Sequence, residues 1–403
     1  MPAYQRLFAI WILILALSTP RLNAETQPDS PPLPASTVEQ PSSPLPETLR
    51  REAEAAVDRA AKWLTANQQA EGHWSNADFP ALTALPLWAM IKTGTASDDV
   101  IARATAYITS TFNENGSFCR EPKEQRKGGG LCNYNTALCM VALHATGNPS
   151  FTPMVQSARS FIARTQHFGD DIYRGGMGYD ADTGRPYADL SNSYIAYESM
   201  RLTESVEDLR SETGETADLD WDAARQFVER VQNRPESNDQ PWASDDPSEY
   251  GGFAYKPDSS MAGSFTNEAG EVRLRSYGSM TYAGLLSFIY ASVDKNDPRV
   301  QSAYEWSRKH WNIDINPGME LQGLFYYYQT LAKALAAMGI DVIPLENGES
   351  INWRTELVKK LVSLQKVEAD GTGFWVNSEG RWWEADPTLV TSYSLLALAM
   401  ALQ

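Results

Sequence analysis

The feature that most constrains this chain is a helix without a polar face. From Leu389 to Leu402 the residues are apolar at nearly every position, and a helix of that kind must be buried on all sides. Asp386-Pro387 opens it, an N-cap acceptor followed by a proline where a missing N–H costs nothing. Ahead of it, Trp353 to Lys366 places Leu357, Leu361 and Leu364 beside Val358 and Val362, the three-and-four spacing of a single apolar stripe. Between the two lies Gly371-Thr372-Gly373-Phe374-Trp375, with glycines for unusual backbone angles and large rings for packing. The unit reads as a hairpin with its amphipathic limb outside and its apolar limb inside.

The same plan recurs upstream. Ala53 to Asn67, Gln69 to Trp74 and Ala81 to Lys92 form the first unit, and Asp99 to Ser110, Gly116-Ser117-Phe118 and Tyr134 to Ala145 the second. Thr152 to Gln166 leads through Gly175 to Tyr179 into Ser191 to Leu202, and a fourth unit from Trp221 carries Gly251 to Tyr255 before Ser279 to Ser292. The fifth starts at Asp297-Pro298, has its loop degraded to Asn316-Pro317-Gly318, and ends in an inner limb from Leu321 to Met338. Outer limbs thus begin near positions 53, 99, 152, 221, 298 and 353, on average about 60 residues apart, a repeat architecture. An open array would turn one face of every apolar limb to water, whereas closing it buries them all. The expected fold is all-α, an (α/α)6 toroid of six hairpins, with an open helical solenoid as the alternative.

Residues 47–403 make up this toroid. Arg6, the apolar run Leu7 to Leu17 and Leu22-Asn23-Ala24 have the layout of a secretory signal peptide over residues 1–24. The run is too short to span a bilayer, so no membrane insertion is expected after cleavage, a retained anchor being the alternative. Residues 25–46 are rich in Pro and Ser and read as an extended linker. The expected location is secreted or periplasmic. Cleavage would remove Arg6 and Arg21, taking the formal net charge from -17 to about -19, which disfavours nucleic acid and anionic lipid surfaces as partners. Of the three cysteines, Cys119 and Cys132 flank one loop and form the more plausible disulfide, free buried thiols being the alternative.

Gln69 to Trp74 matches a Gln-x-x-Gly-x-Trp pattern, and Gly371 to Trp375 after Gln365 is a looser copy. In these repeats the chain resembles the squalene cyclase and prenyltransferase superfamily of terpenoid cyclase-like toroids, over roughly Glu52 to Gln403. Asp189 to Tyr194 and Gly278 to Thr281 look like segments of its single-toroid bacterial members. The resemblance implies where activity would lie, and the motifs depart from it there. Cyclases of this kind protonate an alkene with the middle acid of Asp-x-Asp-Asp; the matching stretch is Asp189-Leu190-Ser191-Asn192, with Ser191 at the donor position. A hydroxyl is too weak an acid for that task. Prenyl transfer needs zinc held by Asp-x-Cys and a distant His, and no Asp-x-Cys occurs, while His73, His144, His167 and His310 are scattered singly. Neither a metal nor another cofactor is implied, and the Gly-Cys-Gly-Glu-Gln of complement-type thioester toroids is missing.

What remains is the mouth where inner-limb starts converge. Asp189 and Asp386 are the candidate acids there, and each also suits a helix cap. Tyr134, Asn192, Tyr194, Tyr282 and Tyr327 are the candidate ligand-binding residues of an aromatic cavity. The partner expected is a hydrophobic small molecule, a glycan or a protein, bound without cyclase or prenyltransferase chemistry. The alternative is an enzyme with a site of its own, terpenoid cyclase-like or a carbohydrate lyase or hydrolase, for which Asp245 and Asp246 beside Trp242 are the best carboxylate pair. If residues 1–24 are a signal peptide, mass analysis of the exported protein gives a chain starting near Glu25; recovery of Met1 on a membrane-embedded product would show an anchor instead.

Overall fold

A computed structural model describes residues 45–120, 130–180, 186–210 and 214–403. The signal-peptide reading and most of the linker lie outside them, as do Lys123, Arg126 and Lys127, which form a local basic island in the sequence of the second unit's loop. In chain order the hairpins are α1 (Glu47–Asn67) with α2 (Ala81–Lys92), α3 (Asp98–Thr109) with α4 (Cys132–Ala145), and α5 (Thr152–Thr165) with α6 (Leu190–Leu202). They continue with α7 (Trp221–Glu229) and α8 (Gly278–Tyr290), α9 (Pro298–Lys309) and α10 (Leu324–Met338), and α11 (Trp353–Leu364) and α12 (Pro387–Ala401). Three two-stranded antiparallel ribbons, β1–β2 (Ser264–Thr266, Val272–Leu274), β3–β4 (Val342–Pro344, Ser350–Asn352) and β5–β6 (Lys366–Val367, Gly373–Phe374), decorate the connections.

The even-numbered helices close a ring. Each packs on the next, α2 on α4, then α6, α8, α10 and α12, and α12 returns to α2. Their apolar composition is thereby satisfied: Leu286 in α8 and Leu396 in α12 are 1% and 2% exposed. The amphipathic helices lie outside, α3 against α2, α5 against α4, α9 against α8, and both α1 and α11 against α12. The ring is locked where its ends meet, because Gln365 Nε2 donates to the Ala56 carbonyl at 2.8 Å while Gln365 Oε1 accepts from the Arg59 Nε–H at 2.7 Å.

Glutamine clamps of this type recur. Gln166 donates to the carbonyls of Gly175 and Asp220 at 2.9 and 3.0 Å, and Gln232 to those of Gly251 and Arg299 at 3.0 and 2.9 Å, so one amide ties a loop to the start of the next outer helix. In the first unit the clamp is the buried Gln68, which donates to Gly72 and Val100. Gln69, the residue that fits the sequence pattern, is exposed.

Two boundaries differ from the sequence reading by three residues or more, the others by two at most. α1 starts at Glu47 rather than Ala53, with Leu45 and Leu49 buried, so the apolar stripe reaches back into the end of the Pro-rich stretch. α10 starts at Leu324 rather than Leu321, because Glu320 (φ 54°) and Gly323 (φ 65°) are left-handed and interrupt any earlier helix. Cys119 and Cys132 are bridged, and Cys139 is a buried free thiol.

The loop glycines show why this residue type recurs. At Gly175, φ is +92° and an added Cβ would lie 1.9 Å from the Ala223 carbonyl oxygen of α7, whereas Gly371 at φ +80° has open space. Gly175→Ala therefore combines backbone strain with overlap while Gly371→Ala carries the strain alone. The expected outcome is that Gly175→Ala lowers unfolding free energy by roughly 1–3 kcal/mol more than Gly371→Ala in urea titrations. Equal losses would mean that the close approach to α7 contributes nothing.

Candidate functional site

Because the inner helices run in one direction, their N-terminal ends meet at one mouth, and below it lies a cavity of about 380 Å³. Polar groups around this mouth are first explained by the N–H groups that a helix start leaves unpaired. α6 and α12 carry their own caps. The Asp189 carboxylate accepts from the Asn192 backbone N–H at 2.8 Å, and that of Asp386 from the Thr388 N–H at 2.8 Å. Other starts borrow. The Asn135 side chain accepts from Ala81 N at 3.0 Å, Asp180 from Cys132 N at 2.7 Å, and Asn316 from Ser279 N at 2.9 Å. α10 is preceded by Gly323, which has no side chain to offer, and Glu384 fills that role from the loop before α12, accepting from Tyr326 N at 2.8 Å and Phe325 N at 3.3 Å.

Glu384 is the one acid that lines the cavity among the described residues. Burial pushes its carboxyl up to about 7, against hydrogen bonds from Asn377 and the amides of α10 that pull it down. About half of the remaining wall is aromatic, with Tyr134, Tyr277, Tyr326 and Tyr393 inside and Trp382 and Trp383 at the rim, and the rest is aliphatic or carries the small polar groups of Asn135, Ser191 and Ser279. Both rim tryptophans have left-handed backbones, φ 55° and 69°, an unusual conformation for a bulky residue. Trp383 meets Phe79 edge-on at 5.0 Å, and the Arg381 guanidinium sits 4.3 Å from the Trp382 ring centre. No Lys, Arg or His belongs to the wall among the described residues.

The residues singled out from sequence are distributed unevenly around this space. Tyr134 lines it, its hydroxyl 3.4 Å from that of Tyr393. Ser191 lines it too, paired with the Tyr326 hydroxyl at 3.1 Å. Asp189 and Asn192 are behind the wall, joined by a 2.7 Å hydrogen bond, with Tyr187 donating to Asp189 at 2.9 Å; burial raises the Asp189 carboxyl. Asp386 is partly exposed and also receives the Ser75 hydroxyl, so the acid facing the cavity is Glu384, two residues earlier. Tyr282 and Tyr327 pack on each other at 5.7 Å between ring centres, Tyr327 donating to the Asn312 carbonyl, and neither reaches the cavity. Asp245 is exposed and Asp246 holds a turn through Ser248, in the fourth unit's insertion and outside the cavity wall. Among the described residues no group of three His, Cys, Asp or Glu is placed to hold a metal ion, and no helix is long and apolar enough to cross a membrane.

Tyr194 belongs to a second polar cluster within the ring that sequence reading missed. The Lys333 ammonium of α10 donates to Glu198 of α6 at 2.9 Å and to the Tyr194 hydroxyl at 3.2 Å, and the Tyr290 hydroxyl of α8 donates to Glu198 at 3.0 Å. Burial lowers the Lys333 pKa, and Glu198 opposes that shift. The signal in the sequence was that Glu198 and Lys333 are ionisable residues in the middle of inner limbs that have to be buried.

Among solved structures, the chain is similar to a type II terpene cyclase from Scytonema in complex with its product merosterolic acid A. The match covers 88% of this chain and 98% of that one, with a TM-score of 0.51 and 11% identity. Another structure of that cyclase, with geranylgeranyl dihydroxybenzoate as substrate, matches at 12% identity and a TM-score of 0.48, covering 88% and 98% of the two chains. Candida albicans protein geranylgeranyltransferase-I complexed with GGPP matches at 13% identity and a TM-score of 0.47, covering 87% and 91%. No family model matches the sequence, and a search of curated proteins finds no match. At such low identity the likeness to the Scytonema product complex, the one of the three with a TM-score above 0.5, shows the terpenoid cyclase-like α/α toroid fold and nothing of the chemistry.

Glu384 gives the site a pH signature. An unfolded chain ionises this carboxyl near 4.5 and the folded one near 7, so between those values the folded state holds a proton that the unfolded state has lost. Its contribution to stability is complete below about pH 4.5 and disappears as the pH rises through about 7. Urea titrations should show wild-type stability falling relative to Glu384→Gln between pH 5 and pH 7.5, by on the order of 3 kcal/mol at most. Parallel curves for the two proteins would mean that Glu384 is not protonated on folding.

Proposed function

We propose that this toroid is an exported binding protein that takes an apolar small molecule into the mouth cavity, without cyclising it or transferring prenyl groups. The observation that carries this reading is the cavity itself: about 380 Å³, walled by tyrosines and tryptophans, and reached between helix starts. Binding sites for small organic molecules are typically about 300–1,000 Å³ and mainly apolar with few polar groups. Export is supported by the signal-like residues 1–24 and by the Cys119–Cys132 bridge, a bond favoured outside the cytosol.

The non-catalytic part rests on the chemistry of the wall. Ser191 faces the cavity at the position that matches the cyclase proton donor. Glu384 is an acid at the cavity, but the burial that raises its pKa to about 7 makes it a weaker proton donor, and protonating an alkene carbon needs a strong one. A diphosphate would find no basic side chain on the wall among the described residues.

Titration of the purified chain with farnesol, followed by tryptophan fluorescence, should show saturable binding that Ser191→Trp, which fills the cavity, reduces at least about tenfold, roughly 1.4 kcal/mol. Incubation with squalene, or with farnesyl diphosphate and zinc, should leave both unchanged. Undiminished binding to Ser191→Trp would locate the ligand elsewhere, and turnover that Glu384→Gln abolishes would make the protein an enzyme.

A further inference from the structure

The cavity is apolar without being electrostatically neutral. Aromatic rings present negative charge on their faces and attract cations, more strongly where water is excluded. Tyr134, Tyr277, Tyr326, Tyr393 and Trp382 surround a space whose one ionisable carboxyl is Glu384, and no cationic side chain belongs to the wall among the described residues. Trp382 already serves as a cation platform, since the Arg381 guanidinium stacks on its ring. The whole chain carries a formal net charge of -17, which favours the approach of a cation.

Resting on the reading that the cavity binds apolar molecules, we propose that its preferred ligand is a hydrophobic organic cation, an alkyl or aryl amine or quaternary ammonium compound. The charged head lies among the tyrosine rings near Glu384 and the hydrocarbon part fills the rest. A quaternary ammonium suits this place better than a primary amine, because it needs no hydrogen-bond acceptor, and both Glu384 oxygens already accept from Asn377 and the α10 amides. The same feature disfavours anionic ligands, which would bring negative charge to the carboxyl and the ring faces.

Binding of a cation stabilises ionised Glu384, so affinity should rise as the pH passes through the range in which that carboxyl titrates. The charged or titratable groups around it are Tyr326 and Tyr328 on α10, Tyr393 on α12 and Arg381 on its own loop; burial raises the pKa of all three tyrosines, which stay neutral over this range.

The test compares octyltrimethylammonium, 1-octanol and octanoate, of equal chain length, with the full purified chain by tryptophan fluorescence and calorimetry. The expected order is ammonium, alcohol, carboxylate, with the ammonium about tenfold or more tighter than the alcohol at pH 8 and the ratio smaller at pH 6. Tyr134→Leu, which keeps an apolar wall but removes one ring, should reduce the ammonium-to-alcohol ratio; Glu384→Gln should remove its pH dependence. Equal binding of ammonium and alcohol, or tighter binding of octanoate, overturns this inference and leaves the cavity-binding reading standing. Failure of all three to bind overturns both.

Discussion

The interaction on which the ring depends is a hydrogen bond, made in five of the six units, between the loop and the inner helix it precedes. The loop amides of Trp74, Phe118, Met177, Phe253 and Trp375 donate to the hydroxyls of Thr83, Thr136, Ser193, Thr281 and Thr391 at 3.3, 2.9, 2.9, 3.2 and 3.1 Å. Each bond is buried, so losing one partner would leave a desolvated polar group at a cost of about 1–3 kcal/mol. Its structural effect exceeds its energy. By fixing the loop to the first turns of the inner helix in five of six units, it brings the helix starts to a common level, and a mouth exists because they share it. The aromatic or methionine side chain that follows is inserted between inner and outer helices; Trp74 and Trp375 are fully buried, and their indole N–H groups close back on Leu64 and Leu361 of the preceding outer helices.

That dependence explains what could be read from sequence. Inner and outer positions were legible because burial acts on every residue of a helix, so Leu389 to Leu402 reports its surroundings through composition alone. The loops were legible because Gly175 and Gly251 sit against the backbone of the next outer helix, and only glycine fits. Gln69 was favoured over Gln68 because a sequence pattern is blind to which of two adjacent glutamines turns inward. The fifth loop fails the pattern for a structural reason: Asn316 spends its amide on the starts of α8 and α10, bridging Ser279 and the Gln322 carbonyl.

The site was less legible, since its members are set by neighbours around the ring. Asp189 and Asp386 cap the helices they precede, a local relation that one sequence displays. Glu384 caps α10, whose start is about 60 residues earlier, and no spacing rule connects them. A signal did exist. α10 follows a glycine and lacks an acceptor of its own, and a buried helix start without one requires a cap from elsewhere. Tyr282 and Tyr327 illustrate the converse, because an inner helix presents residues to the ring axis, to its two neighbours and to the outer layer, and periodicity cannot separate these when all are apolar.

The division of polar groups then decides what chemistry the interior can support. The acceptors of Asn135, Asp180, Asp189, Asn316, Glu384 and Asp386 near the mouth are committed to helix starts, and deeper in the ring Glu198 is committed to Lys333 and Tyr290. What the cavity leaves uncommitted is the surface of its rings, whose interaction with a ligand needs neither proton transfer nor displacement of a cap. The toroid thus keeps a closed barrel while Asp189, Asp386 and Glu384 cap its helices, and on the binding reading proposed above selection of a ligand falls to shape and to the charge distribution of tyrosine and tryptophan rings.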